Sequence, residues 1–281
     1  MFVEGHAISA TYALGAVCTW GFSDFIGGYT ARRFDSFLLA SLTHLSGTIV
    51  VATLALIAAG PFPPLAQIGW ALAAGACGGL SLALFYHALA QGNMGLAAPV
   101  AALLSALLPA SFGILTQGAP GLRPSAGLLL ALLAIWLISR PEGGLRPRGL
   151  GLAVVAGFGF ALFYIFMERA GRGAALWLAA ASRFSSLIFT GAITLAAGRF
   201  SPVYRLGFVW GFLAGAIDVS GTVLFVRAAQ TGPLARAVIL SSLYPLITVL
   251  LARLFLGEHF TRSRAAGVIA ALAAIPMLMA A

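Results

Sequence analysis

Two carboxylates stand inside long apolar stretches of this 281-residue chain, Asp24 within Trp-Gly-Phe-Ser-Asp-Phe and Asp218 within Ala-Ile-Asp-Val-Ser. Ionisable groups at membrane depth are costly, and they commonly mark a binding site or a proton relay. Asp24 could exchange a proton or hold a cationic group; alternatively, it lies near the membrane edge and pairs with Arg32 or Arg33. Asp218 could line a cavity or form a structural salt link to an arginine elsewhere. Both are candidate substrate-binding or coupling residues.

Aromatic residues in the apolar stretches add a second kind of chemistry, because aromatic faces attract organic cations and stack on flat ligands. The alternative is that these rings only pack in the core or against lipid. His87 could shuttle protons near neutral pH, or it could be a hydrogen-bonded packing residue. The aromatic candidates for substrate contact are Trp20, Tyr86, Phe163, Tyr164, Phe225 and Tyr244.

Two Ser-x-x-x-Pro motifs occur in matching places, at residues 105–109 and 241–245. Proline removes a backbone hydrogen bond and kinks a helix. We predict matching kinks at Pro109 and Pro245, with Ser105 and Ser241 one turn before them as candidate binding residues. The kinks could act as a gate or as purely structural bends.

Composition identifies the environment of these residues. Hydrophobic residues make up 61% of the chain and charged residues only 8%, and the mean hydropathy is +1.02. Soluble domains carry roughly 25% charged residues, so lipid is the expected solvent. A span with a short loop takes about 25–30 residues, which leaves room for about ten spans. The net charge of +9 comes from arginines that lie mostly in short loops, where they set topology rather than bind nucleic acid.

The second half of the chain repeats the first. The motif prolines are 136 residues apart, and the glutamines of two Ala-Gln segments, Gln91 and Gln230, are 139 apart. We predict two units, residues 1–140 and 149–281, joined by a polar loop at residues 141–148. Duplicated membrane bundles are typical of transporters, because two like halves can rock around a central site.

Several segments then point to a family. The run Leu-Phe-Leu-Gly-Glu-His-Phe-Thr at residues 254–261, followed by Gly267, resembles the end of the ninth span in EamA-type transporters of the drug/metabolite transporter superfamily. Residues 20–25 and 85–89 resemble the family's first and third spans. Ser182-Arg183-Phe184 matches the arginine often seen in the second helix of a repeat. The first repeat departs from the pattern: it lacks the Gly-Glu pair and has His44 near the position that Arg183 occupies in the second repeat.

The resemblance implies an all-α integral membrane protein with ten transmembrane helices as two inverted five-helix repeats, around a central substrate cavity. It implies secondary-active transport of a small organic metabolite such as an amino acid or amine by alternating access, with export favoured. The alternative on the same fold is a flippase for lipid or lipid-linked substrates, in which Arg183, Arg227 and Arg236 would line a pocket. No phosphate-binding loop, metal constellation or nucleophile motif is evident in the sequence, so neither an enzyme nor a cofactor is expected.

The expected partners are membrane lipid, a small-molecule substrate and, as a candidate coupling ion, the proton; nucleic acid is not expected. A monomer and a homodimer both remain open. The expected location is a prokaryotic cytoplasmic membrane, crossed several times. Loop arginines favour both termini outside by the positive-inside rule, whereas the family resemblance favours both termini in the cytoplasm, so orientation stays open.

Overall fold

The computed structural model describes residues 2–58, 60–90, 94–139, 150–199, 205–256 and 261–279. The predicted loop between the units, residues 141–148, lies outside these ranges, as does Glu258 of the Gly-Glu pair. The described residues form eleven helices and no strand. In chain order they are α1 (Phe2–Ala31), α2 (Ser36–Ile57), α3 (Leu65–Ala90), α4 (Met94–Gln117), α5 (Leu122–Ser139), α6 (Leu150–Arg169), α7 (Ala175–Ala196), α8 (Arg205–Thr231), α9 (Leu234–Ser241), α10 (Pro245–Leu256) and α11 (Arg262–Met279).

The eleven helices correspond to the ten predicted segments, because α9 and α10 together occupy the ninth. The chain leaves the helical path at residues 242–244, and Pro245 begins α10. Proline suits the first turn of a helix, where its missing N–H has no intrahelical acceptor. In the first half, α4 continues as one helix through Pro109. The helix is thus interrupted before Pro245, whereas Pro109 lies inside a continuous helix, and the matching kinks stay a prediction.

Five helices are long and apolar enough to cross a membrane: α2, α3, α6, α7 and α8. Shorter apolar stretches occupy residues 101–117, 122–137 and 234–248. Apolar helices that satisfy their own backbone hydrogen bonds are the form in which such segments cross lipid. The chain is accordingly an all-helical integral membrane protein with several passes.

Helix packing joins the two halves rather than separating them. The most extensive contacts pair α1 with α8, α3 with α6, α2 with α7, and α5 with α11. Each pair takes one helix from each half. If α1, α2, α3 and α5 are replaced by α6, α7, α8 and α11, and the reverse, the same four pairs result. The two predicted units therefore share one interior, and the space between them lies at the centre of the molecule.

Glycines allow the closest of these approaches. A Cβ added at Gly75 of α3 would collide with the carbonyl oxygen of Ser182 in α7, and one added at Gly215 of α8 would collide with the carbonyl oxygen of Thr43 in α2. Small residues of this kind let membrane helices pack backbone to backbone. The two contacts are counterparts in the two halves, and they hold α2, α3, α7 and α8 tightly around the centre.

Candidate functional site

A cavity of about 60 Å³, lined by aromatic and polar side chains, lies between the halves. Helices α1, α2, α3 and α4 of the first half and α6, α7 and α8 of the second contribute to its wall, together with Tyr244 of the turn before α10. This volume accommodates about four water molecules, well below the roughly 300 Å³ at which small-molecule sites begin. In this conformation the cavity is therefore too small for a typical small-molecule ligand.

Helical spacing places the first group of wall residues. Trp20 and Asp24 lie four residues apart on α1, and Phe160 and Tyr164 lie four apart on α6. Residues at this spacing share one helix face. The faces of α1 and α6 meet across the cavity, where the Trp20 and Tyr164 ring centroids are 6.0 Å apart.

A buried ionic cluster forms the opposite wall. The Arg183 guanidinium of α7 forms an ion pair with the Asp218 carboxylate of α8, and both side chains are less than a tenth exposed. The same guanidinium donates to the Thr222 hydroxyl one turn further along α8. Its Nη1 lies 3.2 Å from Nδ1 of His44. Arg183 therefore joins α2, α7 and α8, and its charge is balanced by Asp218.

Asp24 has no such partner. It is half-buried on the cavity wall, and no cationic group of the described residues lies within 4.0 Å of its carboxylate. Arg32 and Arg33 follow at exposed positions at the end of α1, and Asp24 forms no ion pair with them. Since the charges of Arg183 and Asp218 cancel, the cavity would carry one net negative charge whenever Asp24 is ionised. A cationic group or a proton would complement that charge.

Residues of the cavity wall occur in pairs, one member from each half, 139 or 140 positions apart along the chain. The pairs are Trp20 and Phe160, Asp24 and Tyr164, His44 and Arg183, Gly78 and Asp218, and Ser105 and Tyr244. In four of the five, the two members differ in chemical type. The wall that the first half contributes therefore differs chemically from the wall that the second half contributes.

Phe225 supports the aromatic wall from behind. It is completely buried, and its ring centroid lies 4.7 Å from that of Tyr164 and 5.9 Å from that of Trp20. Phe163 packs edge-on against Tyr164 at 5.4 Å. The wall is therefore a rigid set of rings, of which Trp20, Phe163 and Tyr164 reach the cavity.

The structure brings seven of the predicted site residues together at this cavity: Asp24, Asp218, Trp20, Ser105, Phe163, Tyr164 and Tyr244. Four others are not among the residues that line it. Tyr86 is fully buried with its ring against Gly27, and His87 is half-buried on α3. Phe225 lies behind the wall, and Ser241 is buried at the end of α9.

The sequence analysis did not predict every residue that lines the cavity. Phe160, Ser182 and Ser186 line the cavity and were not predicted. Spacing could have found them: Phe160 precedes Tyr164 by four residues, and the serines are four apart on either side of Arg183. The pairing of Arg183 with Asp218 was anticipated only as a salt link to an unspecified arginine. Which arginine pairs with which acid depends on helices that are distant in sequence.

Comparison with known proteins indicates which class of protein this chain resembles. Residues 147–280 match the model of the EamA-like transporter family. A solved crystal structure of another protein, 17% identical in sequence, aligns over 96% of this chain and 95% of its own chain with a TM-score of 0.74. At that identity the likeness concerns the fold alone. No curated protein matches the chain.

The fold and the central cavity define a helical membrane protein, and the second half of the chain, residues 147–280, is similar to the EamA-like transporter family. The class of protein that this match indicates is a membrane transporter.

Proposed function

We propose that the protein carries a small organic metabolite with a cationic amino group, an amine or amino acid, by secondary-active alternating access. The observation behind this proposal is the unpaired Asp24 carboxylate beside aromatic rings in a cavity between the two halves. A carboxylate supplies the counter-charge for an ammonium group, and the faces of Trp20 and Tyr164 add cation–π attraction. An anionic solute would face repulsion from Asp24, because Arg183 is engaged by Asp218.

The arrangement of the halves supports alternating access. Ten spans divide into two sets of five, and an odd number of spans reverses the direction of the second set, so we propose that the units 1–140 and 149–281 are inverted repeats around the cavity. Polar contacts between the halves occur near both ends of the bundle. The Gln117 amide donates to the Glu168 carboxylate at 3.0 Å, and Arg199 lies 3.4 Å from Asp35.

Three further features belong to the proposal. Export is the direction that we propose, from a prokaryotic cytoplasmic membrane, with the proton as the coupling ion at Asp24. Proteoliposomes loaded with substrate, with an imposed pH gradient of either sign, test direction and coupling together. Efflux of the loaded substrate that is unaffected by the sign of the gradient would refute proton coupling.

Substrate class is tested by the melting temperature of the purified protein with amines, amino acids, nucleosides and organic anions. A ligand that binds only the native state raises that temperature. We expect cationic amines or amino acids to raise it, and Asp24→Asn to weaken their binding at least about tenfold, which is roughly 1.4 kcal/mol. Asp35→Asn is the matched control, since Asp35 lies outside the cavity. Anions that stabilise the protein while amines do not would refute the proposal.

The flippase alternative requires a shared arginine pocket, and the structure does not assemble one. Arg183 is paired in the central cavity, Arg227 is exposed on α8, and Arg236 is buried at the start of α9 against a different cavity. The central site therefore favours a soluble cationic solute over an anionic lipid.

A further inference from the structure

A second cavity, of about 310 Å³, lies at the end of the bundle where α4 connects to α5 and α8 connects to α9. Its wall includes Gln117, Pro124, Leu128, Arg236 and Leu278, from α4, α5, α9 and α11. None of these residues lines the central cavity. The volume is within the range of small-molecule sites, and Leu128, Pro124 and Leu278 make much of the wall apolar.

Arg236 is the one charged side chain of this wall among the described residues. It is only 7% exposed, and its Nη1 is buried without a hydrogen-bond partner in the part of the chain that the structure describes. No described carboxylate lies within 4.0 Å of its guanidinium. Arginine does not lose its proton in proteins, so the site contains a buried cation without a counter-charge. Such a charge is costly unless an anion pairs with it.

The neighbouring polar groups do not supply that anion. Both polar atoms of the Gln117 amide already have hydrogen-bond partners. Its Nε2 donates to Glu168, and its Oε1 accepts from the backbone N–H of Leu234 at 3.0 Å. Arg236 lies in the first turn of α9, whose N-cap residue, Pro233, gives no side-chain cap. The N-terminus of a helix carries partial positive charge and favours anions. Both the guanidinium charge and the N-terminal end of α9 therefore favour an anion in this cavity.

We propose that this cavity binds a phosphate-bearing anion through Arg236. Guanidinium groups donate bidentate hydrogen bonds to phosphate oxygens, and the apolar part of the wall suits the acyl groups of a phospholipid. The phosphate could come from a phospholipid headgroup or from free phosphate. The site is separate from the transport site and does not depend on the proposed substrate.

Binding to the full-length protein in neutral detergent micelles tests the inference, with phosphatidylglycerol and inorganic phosphate as separate probes. We expect saturable binding of phosphatidylglycerol that raises the melting temperature. Arg236→Gln should weaken this binding at least about tenfold, since the charge-assisted pair is lost. Without a probe, the same variant should melt at a higher temperature than the wild type, because the uncompensated buried charge has been removed.

Arg227→Gln is the matched control, because it removes an exposed arginine of the adjacent α8 and should leave binding unchanged. If inorganic phosphate reproduces the full effect, the site takes the free anion; if only phosphatidylglycerol does, it takes the lipid headgroup. Binding of neither probe, or equal losses in the two variants, would overturn the proposal. Should Arg236→Gln fail to fold, Arg236→Lys replaces it. Lysine cannot form the bidentate contact, so undiminished binding in that variant would overturn the proposal as well.

Discussion

The two intramembrane aspartates share a residue type but differ in electrostatic environment. Asp218 is paired with Arg183, whereas Asp24 faces the same cavity without a cation among the described residues. A paired charge inside low dielectric is held in place by its partner, and an unpaired charge is available to a ligand. We therefore propose a structural role for Asp218 and a binding role for Asp24.

Replacement of Asp218 tests the structural role. Asp218→Asn leaves the Arg183 guanidinium buried without a counter-charge, and we expect a loss of about 3–5 kcal/mol in the free energy of unfolding, as for other broken buried ion pairs. The double variant Asp218→Asn with Arg183→Gln should recover most of this loss, because no charge is then left uncompensated. Unfolding in mixed micelles measures both. Additive losses in the double variant would contradict the ion-pair interpretation.

At the scale of the helices, close packing of α3 on α7 positions Arg183 and the serines beside it. Gly75 has no room for a side chain, because its Cα faces the Ser182 backbone, whereas Gly69 in the same helix has open space around it. The sequence shows both glycines in the same apolar run, among four glycines in all, and does not distinguish them. Only the position of α7 does.

Gly75→Ala and Gly69→Ala form a matched pair for this contact. We expect Gly75→Ala to destabilise the protein by about 1–3 kcal/mol or more through overpacking, and to lower transport by moving Arg183. Gly69→Ala should be neutral or stabilising by up to about 1 kcal/mol, because alanine is the better helix former. Equal unfolding free energies for the two variants would mean that the α3–α7 contact is not tight.

For the whole molecule, the proposed alternating access requires motion of one half against the other. Asp35 and Arg199 lie near one end of the bundle and Gln117 and Glu168 near the other, and each pair joins the two halves. If the halves rock, both pairs must separate at some stage of the cycle.

Cross-linking tests this motion. In a variant without Cys18 and Cys77, the pair Asp35→Cys with Arg199→Cys, joined by a short bifunctional thiol reagent, should abolish transport in proteoliposomes. The pair Gln117→Cys with Glu168→Cys should do the same from the other end. Single-cysteine variants treated with the same reagent are the controls and should keep most of their activity. Full transport by a cross-linked protein would contradict alternating access.

The sequence by itself determined the environment, the helical fold and the family. An apolar composition with few charges requires lipid as solvent, and backbone hydrogen bonding then requires helices. The motif residues near the end of the ninth segment indicated the family, and the match over residues 147–280 confirmed it. Trp20 and Asp24 could be grouped on one face because helical periodicity is local.

The tertiary structure decided which of these residues meet. Arg183 and His44 are 139 residues apart and in contact, Tyr86 and Phe225 pack outside the cavity wall, and α4 remains helical where α9 and α10 separate. Such outcomes depend on which helix faces approach one another, and that approach is governed by non-local packing of small residues. Likewise, Arg236 has an ordinary place in the sequence, and only the surrounding helices leave it buried beside a cavity without a counter-charge.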